Sequence, residues 1–337
     1  MPVAVRGYIA HTPPGFEHVV ASTHADGAPA AVWTEGHGAA VVRHLHWDTS
    51  SPLKAVLSLR RMMNTVRPDV VHAHSSFPGV YARVVPVGGA RLVYTPHCFA
   101  FERRDVGRPI RSLYRWIERS LRRRCDLLAA AGPGEALTAA GLGYDPGLLR
   151  MIPNVPSVRR SEEEKPRTAS ASTTITVGML GRWAPQKDPR AFVDLVSALR
   201  RELPGVNVRA KWIGGGDGGV ESPNGIEITG WKSPEDVARE LAGLDVYLHT
   251  AAWEAAVAIA VLDAFECGIP ILVRPIAAMP ALPPQVRTDS GLQPLIEATR
   301  AGRFALWAEE NLEQWDRYLG DSFTPAAQRA ALHAVWG

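Results

Sequence analysis

Short apolar, β-branched runs alternate along the chain with longer segments whose apolar residues recur every three or four positions. The runs predict strands at His18–Ser22, Ala40–Leu45, Val70–His74, Leu92–Tyr94 and Leu127–Ala131. A second set follows at Thr174–Leu180, Val208–Ile213, Ile226–Thr229, Val246–His249 and Ile271–Val273. The clearest helix is Pro189–Leu203: Phe192, Leu195, Val196, Leu199 and Leu203 share one face, Asp188 stands at the N-cap and Pro189 opens the first turn. The stretch from Ala258 to Cys267 is apolar nearly all round, which predicts a buried helix ending at Gly268 and Pro270. From Pro109 a third pattern puts Ile110, Leu113, Tyr114, Ile117 and Leu121 on a buried face and leaves Trp116 off it. Strand–helix alternation in both halves predicts an α/β fold of two Rossmann-like, doubly wound domains, with ligands beyond the carboxyl ends of the strands in a cleft.

Pro153 to Thr174 is rich in Pro, Ser, Arg and Glu and has no hydrophobic period, so it reads as a linker. The expected domains are 1–157, a linker at 158–174 and a second domain at 175–320, followed by a C-terminal helix within 321–337 that packs back toward the first domain. A length of 337 residues exceeds what one core usually serves.

Three separated cysteines without CxxC or metal-ligand spacing suggest a reducing, cytoplasmic compartment. No apolar run reaches the ~18 residues of a membrane span, and no signal peptide opens the chain. The net charge of +3 is uneven: 18 Lys+Arg against 11 Asp+Glu up to residue 157, then 19 against 23. A basic first half suits an anionic partner such as a membrane surface, a phosphorylated acceptor or nucleic acid; a solvated, Arg-rich surface is the plainer alternative. Nine arginines fall between Arg103 and Arg124, against Asp105 and Glu118. A basic helix with an off-stripe Trp is suited to an anionic lipid surface.

Few motifs carry chemistry. In HTAAWEAAVAIAVLDAFECGIP, Glu254 lies on the loop after a strand and Asp263 inside the apolar helix, where a carboxylate needs a partner or a ligand. That helix N-terminus also offers free N–H groups. In GMLGRWAPQKDP, Arg182 and Lys187 follow the strand-ending Gly181, and two cations on such a loop can grip a diphosphate or merely be solvated. His97 sits just after a strand. His72 and His74 alternate onto one sheet face, but no third ligand supports a metal. GGGDGG at 214–219 matches a dinucleotide pattern formally, yet turn-forming residues follow where a helix is required.

The segments RPDVVHAHSSFPGVYAR, YTPHCFAF, IERSLRRRCDLLAAAGPGE, MIPNVP, GRWAPQKDP, ITGW and WEAAVAIAVLDAFECGIP occur in this order. Together they resemble the family 4 retaining glycosyltransferases of the GT-B fold. The resemblance implies that Gly181, Arg182 and Lys187 hold the diphosphate of a nucleotide sugar. It places Glu254 and His97 at the donor sugar, Asp263 at the ribose, and Gly230 and Trp231 near the base. It implies no metal and no nucleic-acid partner. The implied activity is transfer of a hexose to a glycoconjugate, polysaccharide or lipid-linked acceptor, at or near the inner face of the cell membrane. Three departures stand out. Eight residues separate Glu254 from Asp263 where the family has seven, Ala255 replaces a Gly, and the second acid is Asp. The chain opens in a helix, AVRGYIAHTP, where the family has a strand and a Gly-rich loop. The segment after Pro275 is short and lacks the family's usual Gly-Gly…Glu element. A catalytically impaired GT-B-like partner protein and a nucleotide-sugar epimerase are the alternative readings.

Overall fold

The computed structural model describes residues 2–23, 41–159, 174–215 and 223–337. Most of the expected linker, Ala40 of the second expected strand and 216–219 of the Gly-rich stretch lie outside them. The chain divides into two compact units, one of Met1–Val155 with Thr324–Gly337, the other of Pro156–Phe323.

Unit 1 runs α1 (Pro2–Ala10), β1 (His18–Ser22), β2 (Val41–His46), α2 (Pro52–Val66), β3 (Val70–His74), α3 (Ser76–Val84), β4 (Arg91–Thr95), α4 (Arg108–Leu121), β5 (Leu127–Ala130), α5 (Pro133–Gly141) and β6 (Leu149–Met151). Strands β3-β4-β5-β6 form one parallel sheet, and β1 and β2 pair in parallel as a separate one. The C-terminal helix Pro325–Trp336 completes the unit. Its Trp336 ring lies 5.4 Å from His18 of β1 and 5.9 Å from His72 of β3, and its indole N–H donates to His72 Nδ1 at 3.1 Å. An aromatic side chain, with no backbone ladder, therefore touches the first strand of each sheet. Strand β6 was not anticipated. It spans only three residues ahead of a proline, too short for a period-two pattern to register.

The largest departure concerns α4. The expected core face of Ile110, Leu113, Tyr114, Ile117 and Leu121 is not buried: Ile110 and Leu113 are exposed, the other three half-buried, and Glu118 is the buried residue. The cause is Arg83 on α3, buried itself, which draws Glu118 inward at 2.8 Å. Arg111 Nε also turns inward, donating to Phe101 O at 2.9 Å, and the Arg115 guanidinium stacks 4.4 Å over the Phe101 ring. A buried charge left without its partner costs more than a few exposed aliphatic side chains, so the ion pair sets the rotation of the helix.

Unit 2 runs β7 (Thr174–Leu180), α6 (Pro189–Glu202), β8 (Asn207–Ile213), β9 (Ile226–Ile228), α7 (Pro234–Ala242), β10 (Val246–His249), α8 (Ile259–Glu266), β11 (Ile271–Val273), α9 (Leu292–Arg300) and α10 (Phe304–Leu319). Its parallel sheet has the order β11-β10-β7-β8-β9, so the chain moves outward on one side of β7 and then returns to the other. That reversal creates a switch point at the carboxyl ends of β7 and its neighbours. The predicted face of α6 packs as expected, with Phe192, Val196, Leu199 and Leu203 buried against Trp212 and the sheet. Edge strand β11 is covered by α10: Asn311 pairs with both Ile271 N and Ile271 O, and Trp315 Nε1 donates to the same carbonyl. Side chains thus replace a neighbouring strand. Pro156–Val158 belongs to unit 2, and Val158 is part of its core.

Candidate active site

In unit 2 the site is built on the carboxyl ends of β7, β8 and β10. Strand β7 is followed by Gly181, at φ +151°, where a Cβ would stand 3.0 Å from Lys187 Cε. Lys187 therefore lies back across Gly181. Gly214, just after β8 at φ +127°, touches Gly181 even more closely: a Cβ there would be 2.3 Å from Gly181 O. Trp212 Nε1 donates to that same oxygen at 2.9 Å. The bare backbone at 181 and 214 is what lets the two strand ends meet. Beside them Gly230 N donates to Gly214 O, and Trp231 is exposed.

The short helical turn Pro185–Lys187 leads into Asp188, which caps α6 by accepting from Ala191 N and pairs with Arg274 at 2.6 Å. Thr250, after β10, fixes this turn by donating to Lys187 O. Lys187 Nζ lies 2.5 Å from Glu254 Oε1. Gln186 Nε2 donates to Glu254 Oε2 at 3.3 Å and to Trp253 O at 3.2 Å. The fully buried His249 brings Nε2 within 3.4 Å of Glu254 Oε1, without a hydrogen bond, while its Nδ1 meets Tyr247 OH. Burial opposes ionisation of Glu254, but the charge of Lys187 outweighs it and holds the carboxyl down at about 2. The carboxylate is an acceptor only at neutral pH, suited to a hydroxyl or a developing cation and unable to act as a general acid.

Arg182 is exposed, with no hydrogen bond or ion pair among the described residues. The two loop cations therefore differ: Arg182 is available to an anion, and Lys187 is already engaged. Asp263 sits apart from them. Its Oδ1 accepts from Ser157 N and from Val158 N at 3.2 Å, and its Oδ2 accepts from Ser157 Oγ at 2.8 Å. The partner that a buried carboxylate requires is thus a segment of the chain itself, and the ribose role implied by the resemblance meets a side chain whose oxygens are in use. Burial pushes this carboxyl up to about 6, against those hydrogen bonds. Asp263→Asn would turn an amide N–H toward existing donors, and we expect a loss of about 2 kcal/mol in urea unfolding.

In unit 1, His97 and Cys98 are consecutive left-handed residues, at φ 48° and 81°. Cys98 N donates to Glu135 Oε1 and Ala131 N to Glu135 Oε2, so a buried acid at the start of α5 pins the turn. Burial raises that acid to about 8. His97 Nε2 lies 3.0 Å from His74 Nδ1, the His72 and His74 rings are 4.1 Å apart, and His72 Nε2 reaches Thr95 Oγ1. Burial keeps all three rings well below their ordinary pKa, and so neutral. Among the described residues no group of three His, Cys, Asp or Glu could hold a metal ion.

His74, Glu135, Gln186 and His249 escaped the sequence reading as site residues. For His74 the alternating HAH was visible but pointed to no partner. His249 had no signal beyond ending a strand.

Residues 4–155 match the family described as Glycosyl transferase 4-like domain, and residues 174–305 that of Glycosyl transferases group 1. The UDP-Gal:alpha-D-GlcNAc-diphosphoundecaprenol alpha-1,3-galactosyltransferase of Escherichia coli is 24% identical over 247 residues, 66% of this chain and 61% of that protein. An uncharacterized 41.2 kDa protein in the cps region of Klebsiella pneumoniae is 24% identical over 63% of this chain and 62% of its own. The chain thus matches about three-fifths of the length of these curated relatives. Among solved structures, Anabaena Alr3699/HepE in complex with UDP and glucose superposes with a TM-score of 0.74 at 15% identity, covering 99% of this chain and 94% of that one. The lipopolysaccharide outer core galactosyltransferase WaaB, apo form, gives 0.62 at 15% identity, with 99% and 94% covered. These likenesses show the fold, a two-domain α/β arrangement of the GT-B type.

Proposed function

With a glycosyl transferase 4-like domain at 4–155 and a glycosyl transferases group 1 domain at 174–305, the chain belongs to the glycosyltransferases, and we propose that it moves a hexose from a uridine diphosphate sugar to a lipid-linked or other glycoconjugate acceptor with retention of configuration. The observation that carries this reading is the Lys187–Glu254 pair at the carboxyl ends of the unit 2 strands, beside Gly181 and the unengaged Arg182. An anion grip and a permanently ionised acceptor stand side by side, which is what a sugar diphosphate presents: charge at one end, hydroxyls at the other. UDP and the hexose are suggested by the relatives, one named for UDP-Gal and one holding UDP and glucose.

In this proposal the bond between the anomeric carbon and the diphosphate oxygen breaks, and the acceptor oxygen bonds on the same face. The acceptor proton leaves with the diphosphate. Arg182 and Lys187 take up the charge of the departing diphosphate, so the step calls on no metal or other cofactor. Preorganised charge of this kind is often the largest catalytic contribution. Glu254 accepts from a sugar hydroxyl and faces the positive charge that develops on the ring. His97, assigned to the sugar by the resemblance, keeps that role; its neutral ring suits a hydrogen bond rather than a charge. The cytoplasm supplies the donor. Peripheral attachment to the inner face of the cell membrane belongs to the same reading, because a lipid-linked acceptor stays in the bilayer.

Calorimetry with UDP tests the grip. Lys187→Ala and Arg182→Ala should each weaken binding about tenfold or more, the value of one charge-assisted hydrogen bond. Unchanged affinity in both would remove the assignment. Normal UDP binding without hydrolysis or transfer of any UDP-hexose would favour a non-catalytic binding protein instead.

A further inference from the structure

Helix α4 buries a charged residue, Glu118, and leaves part of its apolar surface exposed. Glu118 turns inward to Arg83 and Arg111 to the Phe101 carbonyl, while Arg115 lies over the Phe101 ring and Arg122 reaches Gly143 O at 3.2 Å. Outward go Ile110 at 45% exposure, Leu113 at 52% and Trp116 at 65%, three residues apart and so on one slanting strip. Phe77, 53% exposed at the start of α3, extends the strip through its edge contact with Tyr114, ring centroids 6.0 Å apart. A contiguous strip of this kind marks an interaction site more often than isolated exposed residues do.

Charge decides what covers it. Arg104, Arg108, Arg119, Arg123 and Arg124 are all exposed, and none makes a side-chain hydrogen bond or ion pair among the described residues. Asp105 is committed to Arg103 at 2.7 Å, and Glu118 is buried, so no acid on the helix offsets them. A second copy docking on this face would bring the same arginines together, which disfavours a symmetric dimer. An anionic surface with an apolar layer beneath it satisfies both halves of the face. A Trp at the centre, aliphatic side chains to one flank and arginines to the other is the layout of a helix lying in a lipid interface. Among the described residues no helix is long and apolar enough to cross a membrane.

We propose that α4 and Phe77 form an insertion surface: Phe77, Ile110, Leu113 and Trp116 enter the headgroup–acyl boundary of an anionic bilayer, while the exposed arginines meet lipid phosphates. This rests on the peripheral-attachment part of the functional reading and adds to it the side chains and their depth. It does not depend on which sugar, or any sugar, is transferred.

The test is flotation of the full chain with phosphatidylglycerol/phosphatidylcholine vesicles, and with pure phosphatidylcholine as the neutral arm. Wild type should float with the anionic vesicles, and part of that binding should survive raised salt because it is apolar. Leu113→Ser with Trp116→Ser should lose the salt-resistant part and weaken binding at least about tenfold. Both side chains are exposed, so thermal unfolding and UDP affinity should stay unchanged. Arg108→Gln, Arg119→Gln and Arg123→Gln together should instead lose the salt-sensitive part. Lipids brominated near the headgroup should quench wild-type fluorescence more than that of Trp116→Phe. Wild type bound but indifferent to the Ser pair would overturn insertion while leaving electrostatic attachment. Equal binding to neutral vesicles, no binding at low salt, or a dimer that the Ser pair converts to monomer would each overturn the proposal.

Discussion

Replacing Glu254 by glutamine is expected to lower kcat for hexose transfer by a factor of about 10²–10³, the usual effect of removing one preorganised electrostatic partner. UDP affinity should stay within a few fold. The carboxylate is ionised because Lys187 overcomes its burial, so the amide loses charge without losing shape. Single-turnover kinetics with a UDP-hexose separate the chemical step from binding. Full activity in Glu254→Gln would show that the residue added between the two acids has carried Glu254 away from the sugar. The same pair makes a pH prediction. A carboxyl lowered from 4.5 to about 2 contributes stability that is complete above about pH 4.5 and is lost as the pH falls toward 2. The contribution is on the order of 3 kcal/mol. Lys187→Ala removes the main counter-charge and leaves burial to dominate. Acid unfolding of that variant, followed by fluorescence, should then lose this part of its dependence or reverse its sign.

The second large effect lies in unit 1. Arg83→Met should destabilise that unit by about 3–5 kcal/mol, because it strands a buried charge. Arg83 donates to Glu118 Oε2 and to Tyr144 OH, both at 2.8 Å, and its Nε donates to Gly79 O. Glu118 also accepts from Tyr94 OH, whose ring lies 4.2 Å beneath the guanidinium. Adding Glu118→Leu should restore much of the loss, since an apolar pair can replace a buried ion pair at little cost. Urea unfolding of both variants, with UDP affinity as a control on unit 2, measures this. A loss under 1 kcal/mol in Arg83→Met would mean that α4 does not owe its rotation to the pair.

That rotation shows where the sequence stopped being sufficient. Periodicity located α4 but assigned its core face by hydrophobicity alone. The decisive partner, Arg83, stands 35 residues away on another helix, and nothing local to either segment announces their contact. In α6 the same reasoning placed the face correctly, because every core-facing residue there is apolar and no buried charge competes. The site divides in the same way. Gly181, Arg182, Lys187 and Glu254 were legible as residues on strand-end loops, since such loops carry ligands in parallel α/β sheets.

The alternation of strands and helices in both halves, the principal capped helices and the short polar loops after β7 and β10 were settled by the sequence itself, through periodicities that act within a dozen residues. Tertiary structure alone decided which charges pair. It gave Asp263 to Ser157 and Val158, Lys187 to Glu254, His97 to His74 and Glu135 to the turn at Cys98. It also left Ile110 and Leu113 of α4 exposed. The reason is energetic: apolar side chains accept almost any apolar neighbour, so a pattern suffices to place them, whereas a buried charge or hydrogen-bonding group is stable only against a specific partner.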